Sequence, residues 1–356
     1  MSDVKRMDAS REIEAAPGFN QVAEIATEGG AVSGIAISPD GARLTIAHYG
    51  DDCFSLIDTA NYAVAQTVID VDEPFAIGMS DKSAGRAYVS CASASHDSIL
   101  AFDTDANRVV ATYPLAYSIT DLAVSPDGRH VYASRTGVDG ADLAVVDTWT
   151  GDDDAIGTAT ATGTTAECVR VSADGRRLYV GVNAASTAEL VMIDAQRRTV
   201  LNTVEIGSPI RDIALSPDGA TAYVGSCAPD FGTVVDVVDT RAAAVTNTYK
   251  FGDVVGLLTR LTISRDGERT YLVGDQGVAV LSTANQEVVG GIAVNGQPAC
   301  AIESPDGNRL YIADYAGRVT VLATASANAP ATSDDEPTVA NQWSIPDVMV
   351  LEPTLA

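Results

Sequence analysis

Asp121, Asp212 and Arg260 stand at one place in three copies of a recurring phrase, six residues before the aspartate of a Ser-Pro-Asp-Gly-like turn. In the other copies that place holds Gly34, Phe75, Cys168 and Cys300. One residue earlier lie Glu167 and Arg211, and a little further along the same segments lie Arg170 and Glu303. Carboxylates set among arginines could do two kinds of chemistry. With a shifted pKa they exchange protons with a substrate. With the arginines leading, the planar guanidinium fork grips a carboxylate or phosphate. Arg170 and Glu303 sit where other copies have Ala, Ile or Val, so both are expected deep in an interior channel. A charge there is costly unless it is paired or hydrated, and the expected role of both is to rigidify the channel.

A second group lies one hairpin strand further on: His48, Tyr49, Asp51 and Asp52, then His96 and Asp97, then Asp230, Asp275 and Tyr315. Two of the chain's three histidines fall in this group. His48 and His96 with a carboxylate could hold a metal, but they come from neighbouring copies only, and isolated surface histidines are common. No metal site and no cofactor are expected. No GxSxG, HExxH, Walker or dinucleotide-type glycine motif occurs, and no CxxCH for haem.

The elements that must position these residues follow from the phrase itself. In ITDLAVSPDGRHVYASR (119–135) two alternating apolar runs flank Ser-Pro-Asp-Gly. Pro presets φ for the first corner, Asp tolerates the second, and Gly supplies the positive φ that rejoins the strand. The phrase is a β-hairpin, and its aspartate is a turn former. It recurs as IAISPDGARLTIA (35–47), VRVSADGRRLYVG (169–181), IALSPDGATAYVG (213–225), LTISRDGERTYLV (261–273) and AIESPDGNRLYIA (301–313), with an eroded copy at 76–90. The residues matching its tyrosine are Thr45, Tyr88, Tyr132, Tyr179, Tyr223, Tyr271 and Tyr311, at steps of 40–48. Between hairpins lies a third strand that ends in Asp-Thr in most copies, as in LAVVDTW (143–149), and a fourth strand follows six of them. The missing fourth strand is at the other end of the chain, in NQVAEIATEG (20–29).

Seven repeats of four strands at this period predict an all-β, seven-bladed β-propeller whose N-terminal strand closes the last blade. The expected organisation is a flexible segment 1–18, a propeller 19–325, and a linker and tail 326–356. The tail's apolar run, Trp343 to Leu351, is expected to pack on the propeller or on a partner.

The 356 residues carry a net charge of −26, which repels nucleic-acid phosphates and anionic lipid. No apolar stretch is long enough to span a membrane. The five cysteines have no metal or redox spacing, so buried free thiols in a reducing compartment are expected. The opening MSDVKRMDAS lacks an apolar core, so no secretory signal is expected and the reading is cytoplasmic.

The phrases SPDGRHVYAS…LAVVDTWTG and SADGRRLYVG…LVMIDAQRRTV resemble the YVTN family of seven-bladed β-propellers over about residues 20–325. The resemblance implies the architecture; such propellers include surface proteins, lactonase-like enzymes and parts of cofactor oxidoreductases, so it does not choose a function. In such a fold the mouth of the central channel is the expected binding face, lined by Asp121, Glu167, Arg211, Asp212 and Arg260 with His48, Tyr49, His96 and Tyr315. The expected function is a non-catalytic scaffold, a monomer that binds another protein through this face or the tail. The alternative is a lactonase- or isomerase-like enzyme acting on a small polar substrate at the mouth, with Asp121, Asp212, Arg260 and His48 as its candidates.

Overall fold

The computed structural model describes residues 15–324 apart from 81–84, 94–95, 117, 138, 159–162, 229–231 and 253. The chain divides into two compact units, Met1–Ser326 and Ala327–Ala356. The second unit, with the apolar tail, lies outside the described residues, as do Asp230, residues 1–14 and most of the eroded turn at 80–85.

Among the described residues, 28 strands form seven four-stranded antiparallel sheets arranged as a propeller, with no helix. The first blade is typical: Val32–Ile37 is its inner strand, followed outward by Arg43–His48, Cys53–Asp58 and Ala63–Ile69. Closure is as the offset strand requires. Phe19–Ala26 pairs antiparallel with Arg318–Thr324 and completes the seventh blade. The ring is thus closed by strand pairing across 290 or so residues of sequence, which leaves no blade incomplete.

The recurring phrase is a hydrogen-bonded unit. In the third blade the Ser125 hydroxyl donates to Asp127 Oδ1 at 2.6 Å and accepts from the His130 amide at 2.8 Å. Asp127 Oδ1 also accepts from the Arg129 amide at 3.0 Å, and Gly128 takes φ of 73°. The serine's hydrogen bond holds the Asp127 carboxyl below its usual pKa. The Asp-Thr phrase locks the third strand to this turn: Asp147 caps the Trp149 amide at 2.9 Å, and the Thr148 hydroxyl donates to the Gly128 carbonyl at 3.0 Å. Thr59, Thr240 and Thr283 make the same bond to Gly41, Gly219 and Gly267. Both repeated phrases are therefore consumed in structure.

The core lies between blades. Tyr179, Leu190 and Met192 of the fourth blade pack on Ile213 and Val224 of the fifth, all at most 1 % exposed. Tyr88, Tyr179 and Tyr271 are among the largest fully buried side chains. Truncating one of them to Ala costs roughly 3–5 kcal/mol, as for large aromatic residues in other cores.

Candidate binding site at the channel mouth

Each inner strand carries a one-residue irregularity near its start. The pairing skips between Val32 and Gly34, Ile119 and Asp121, Ala166 and Cys168, Ile210 and Asp212, Leu258 and Arg260, and Pro298 and Cys300. In the second blade it skips from Pro74 to Ile77. Such a bulge turns its extra residue out of the ladder. The residues so placed are Ser33, Thr120, Glu167, Arg211, Thr259 and Ala299, with Phe75 from the second blade, and all seven line one cavity of about 550 Å³ at the mouth. Behind it the inner strands of all seven blades line a channel cavity of about 300 Å³.

Of the residues expected at the mouth, Tyr49, Phe75, Glu167, Arg211, Arg260 and Tyr315 line this cavity, whereas Asp121 and Asp212 do not. Asp121, Asp212 and Cys300 face the channel, and Arg260 alone of the expected ring lines both cavities. Gly34 stands where a Cβ would come 2.7 Å from the Phe75 carbonyl, so the first two blades approach this closely only with glycine there. The mouth ring itself divides by role. Ser33 donates to Pro74 O at 3.2 Å, Thr120 to Ala166 O at 2.6 Å and Thr259 to Ala299 O at 3.1 Å, each stapling its blade to the next. Phe75, Glu167 and Arg211 make no such staple among the described residues.

Inside the channel Arg170, Asp121 and Asp212 are fully engaged with one another and with the backbone. Arg170 reaches across three blades: one amino group donates to Asp121 Oδ2 at 2.5 Å, the other to Asp212 Oδ1, and Nε to the Ile213 carbonyl at 2.9 Å. Asp121 also accepts from the Val169 amide at 3.2 Å, and Asp212 from the Ile213 and Leu261 amides at 2.8 and 2.9 Å. Both aspartates are buried. Burial opposes the charge on Arg170, but Asp212 and Asp121 outweigh it and hold its pKa above the ordinary arginine value. This triad ties the third to sixth blades together.

Glu303 is not in the channel. It stands three residues from the channel-facing Cys300, hence on the opposite face of its strand. There it accepts from the Tyr271 hydroxyl at 3.0 Å and the Arg265 amide at 2.5 Å, between the sixth and seventh blades. Burial raises its pKa.

His48 is fully buried. Its Nδ1 lies 3.2 Å from the Gly30 carbonyl, which can only accept, so Nδ1 carries the proton and Nε2 accepts from the Ser55 hydroxyl at 2.9 Å. Burial lowers its pKa and keeps it neutral. His96 is exposed on the second blade and does not line the mouth cavity. The loop carboxylates Asp51, Asp97 and Asp275 accept from the amides of Gly30, Ile119 and Leu257 at 2.5, 2.8 and 2.8 Å, which organises the loops that frame the mouth.

What remains at the mouth is a mixed surface. Tyr49 and Phe75 meet edge to face at 6.1 Å, and Tyr315 and Leu257 complete an exposed apolar rim. Glu167 lies 3.6 Å from Arg211, and burial raises its pKa against the pull of Arg211 and Arg260. Ser33, Thr120 and Thr259 were not picked out in the sequence. The extra residue of a bulge leaves no mark on the apolar alternation, and only aligning the copies on their turn aspartates places it.

The chain is 43% identical over 376 residues to the seven-bladed beta-propeller protein Rv1057 of Mycobacterium tuberculosis, covering 97% of this chain and 95% of that one. It belongs to the family of that seven-bladed β-propeller protein. Hydrazine synthase of Kuenenia stuttgartiensis superposes with a TM-score of 0.72 at 19% identity, over 84% of this chain and 97% of that one, a likeness of fold alone. No family model matches the chain. No helix among the described residues is long and apolar enough to cross a membrane.

Proposed function

We propose that this propeller is a non-catalytic recognition module that engages a protein partner through its mouth face. One observation carries the reading: the groups suited to acid–base work, Asp121, Asp212 and His48, are all buried in hydrogen bonds to Arg170, backbone amides, Gly30 and Ser55. The mouth above them is open and rimmed by aromatics, the composition of a recognition surface. The repeat phrases favour placing the chain among YVTN-type propellers. Five free thiols, four of them buried, favour a reducing compartment such as the cytoplasm, and the charge of −26 disfavours nucleic acid. Strand closure of the ring favours a monomer, and the tail 326–356 is a second surface for the partner.

A pull-down from native extract tests this, with the full chain, a chain ending at Ala325, and the double variant Arg211→Ala, Arg260→Ala as baits. A partner held by the full chain and lost by either variant supports the module and says which surface works. If no protein is enriched and the three baits behave alike, the reading fails. The alternative, an enzyme acting on a small polar substrate, rests on Glu167, the one mouth carboxylate with a raised pKa beside arginines. On that reading Glu167→Gln abolishes turnover of the substrate while leaving partner capture unchanged.

A further inference from the structure

The mouth cavity is lined by guanidinium groups whose donors are not all taken up by described residues. Arg260 lines both the mouth and the channel, yet makes no hydrogen bond and no ion pair among the described residues. The Nε of Arg211 is buried with no partner, and its amino nitrogen Nη1 lies 3.6 Å from Glu167 Oε1. A guanidinium carries five N–H donors, and leaving buried donors unmade is costly. The lining charges leave no room for much more negative charge: Arg170, Arg211, Arg260 and Arg265 stand against Asp121, Asp212, Glu167, Glu73 and Asp97. The missing component supplies acceptor oxygens and at most one negative charge. A phosphate dianion would bring two into a site whose lining already has one more carboxylate than guanidinium, on a chain of net charge −26. A carboxylate brings one, with two oxygens matched to the guanidinium fork. Beside the arginines stand Tyr49 and Tyr315, 52% and 45% exposed, and Phe75 and Leu257, 36% and 51% exposed. That much apolar surface around one cavity calls for an apolar body on the ligand.

We propose that the mouth binds a carboxylate carried on a flat apolar body, with Arg260 and Arg211 gripping the carboxylate and Tyr49, Phe75 and Tyr315 covering the body. This deepens the recognition reading and rests on it. The same chemistry is offered by a free aromatic acid and by the C-terminal aromatic residue of a polypeptide.

Ligand-observed NMR titration of the full chain tests the proposal. The probes are phenylacetate, phenylacetamide, phenyl phosphate, and a hexapeptide ending in Phe with its C-terminus either free or amidated. The expected result is saturable one-to-one binding of phenylacetate, of the free-acid peptide or of both, with the matching amide at least about tenfold weaker. Arg260→Met and Arg211→Met each weaken that binding by about tenfold or more, while the unfolding temperature of each variant stays near that of the parent. Phenylacetate binding as tightly as the peptide assigns the site to small acids; a peptide at least tenfold tighter assigns it to a protein terminus. Tighter binding of phenyl phosphate, equal binding of acid and amide, or no saturable binding of any probe overturns the proposal. A partner captured by the full chain and lost by the arginine variants, alongside silent probes, overturns the ligand class and leaves the recognition reading standing.

Discussion

Arg170 and Arg260 lie along one channel, and the same residue type serves opposite ends there. Arg170 has its guanidinium spent on Asp121, Asp212 and two backbone carbonyls, and it links three blades. Arg260, at the boundary between channel and mouth, has donors that no described residue takes up. Asp121 and Asp212 favour the charge on both arginines, but only Arg170 has its donors hydrogen-bonded within the chain, which makes it part of the architecture, while the donors of Arg260 at the mouth are left for something outside the chain. The mouth's other features fall on the same side of the line. Ser33, Thr120 and Thr259 are stitched to the neighbouring blade, while Phe75, Glu167 and Arg211, at the equivalent bulge positions, are left facing the cavity.

The largest expected effect lies on the channel side. Arg170→Met leaves two buried aspartates without their cation, and the expected loss is about 3–5 kcal/mol of unfolding free energy, measured by denaturant titration. A loss under about 1 kcal/mol would mean the triad is ornamental. Next in size is Asp212→Asn, which keeps one acceptor oxygen but loses the charge facing Arg170; about 1–3 kcal/mol is expected in the same measurement. Asn at that position behaving like the parent would show that the backbone amides, and not Arg170, hold the residue.

Glu303 sharpens the picture through pH. Its folded-state pKa is raised by burial, so the stability it contributes is full below its unfolded value and is lost as pH rises through the folded one. Glu303→Gln removes that dependence. The difference between parent and variant stability curves should slope by up to about 1.4 kcal/mol per pH unit above the ordinary glutamate range, and flatten once pH passes the raised folded-state pKa. A flat difference throughout would mean that Tyr271 and Arg265 already stabilise the charged form. The smallest effects belong to the rim. Tyr49→Ala should change stability by within about 0.5 kcal/mol and Phe75→Ala by about 1 kcal/mol or less, against roughly 3–5 kcal/mol for Tyr179→Ala between blades. A rim aromatic as costly as Tyr179 would be core, not a binding surface.

The blades were legible because each repeat writes its own hydrogen bonds: Ser125 and Asp127 close the turn, Gly128 turns the corner, Thr148 ties the third strand to it. The ring closure was legible from one strand out of place, now found paired with Arg318–Thr324. The site was legible only in part. Aligning copies on the turn aspartate picked out Arg170, Arg211, Asp212 and Arg260, but not which of them are engaged, since that depends on neighbours in other blades. Glu303 was misplaced by one step of strand alternation. His48 looked like a loop residue; its ring is sealed between Gly30 and Ser55, a placement set by the chain before the first blade.

Under the proposal above, Arg170 is a strut of the propeller and Arg260 serves a ligand. Denaturant unfolding of Arg170→Met and Arg260→Met, side by side without added ligand, tests it most directly. The expected losses are about 3–5 kcal/mol for the first and about 1 kcal/mol or less for the second, whose donors make no hydrogen bond among the described residues. Equal losses would contradict the proposal, because Arg260 would then be one more strut of the propeller.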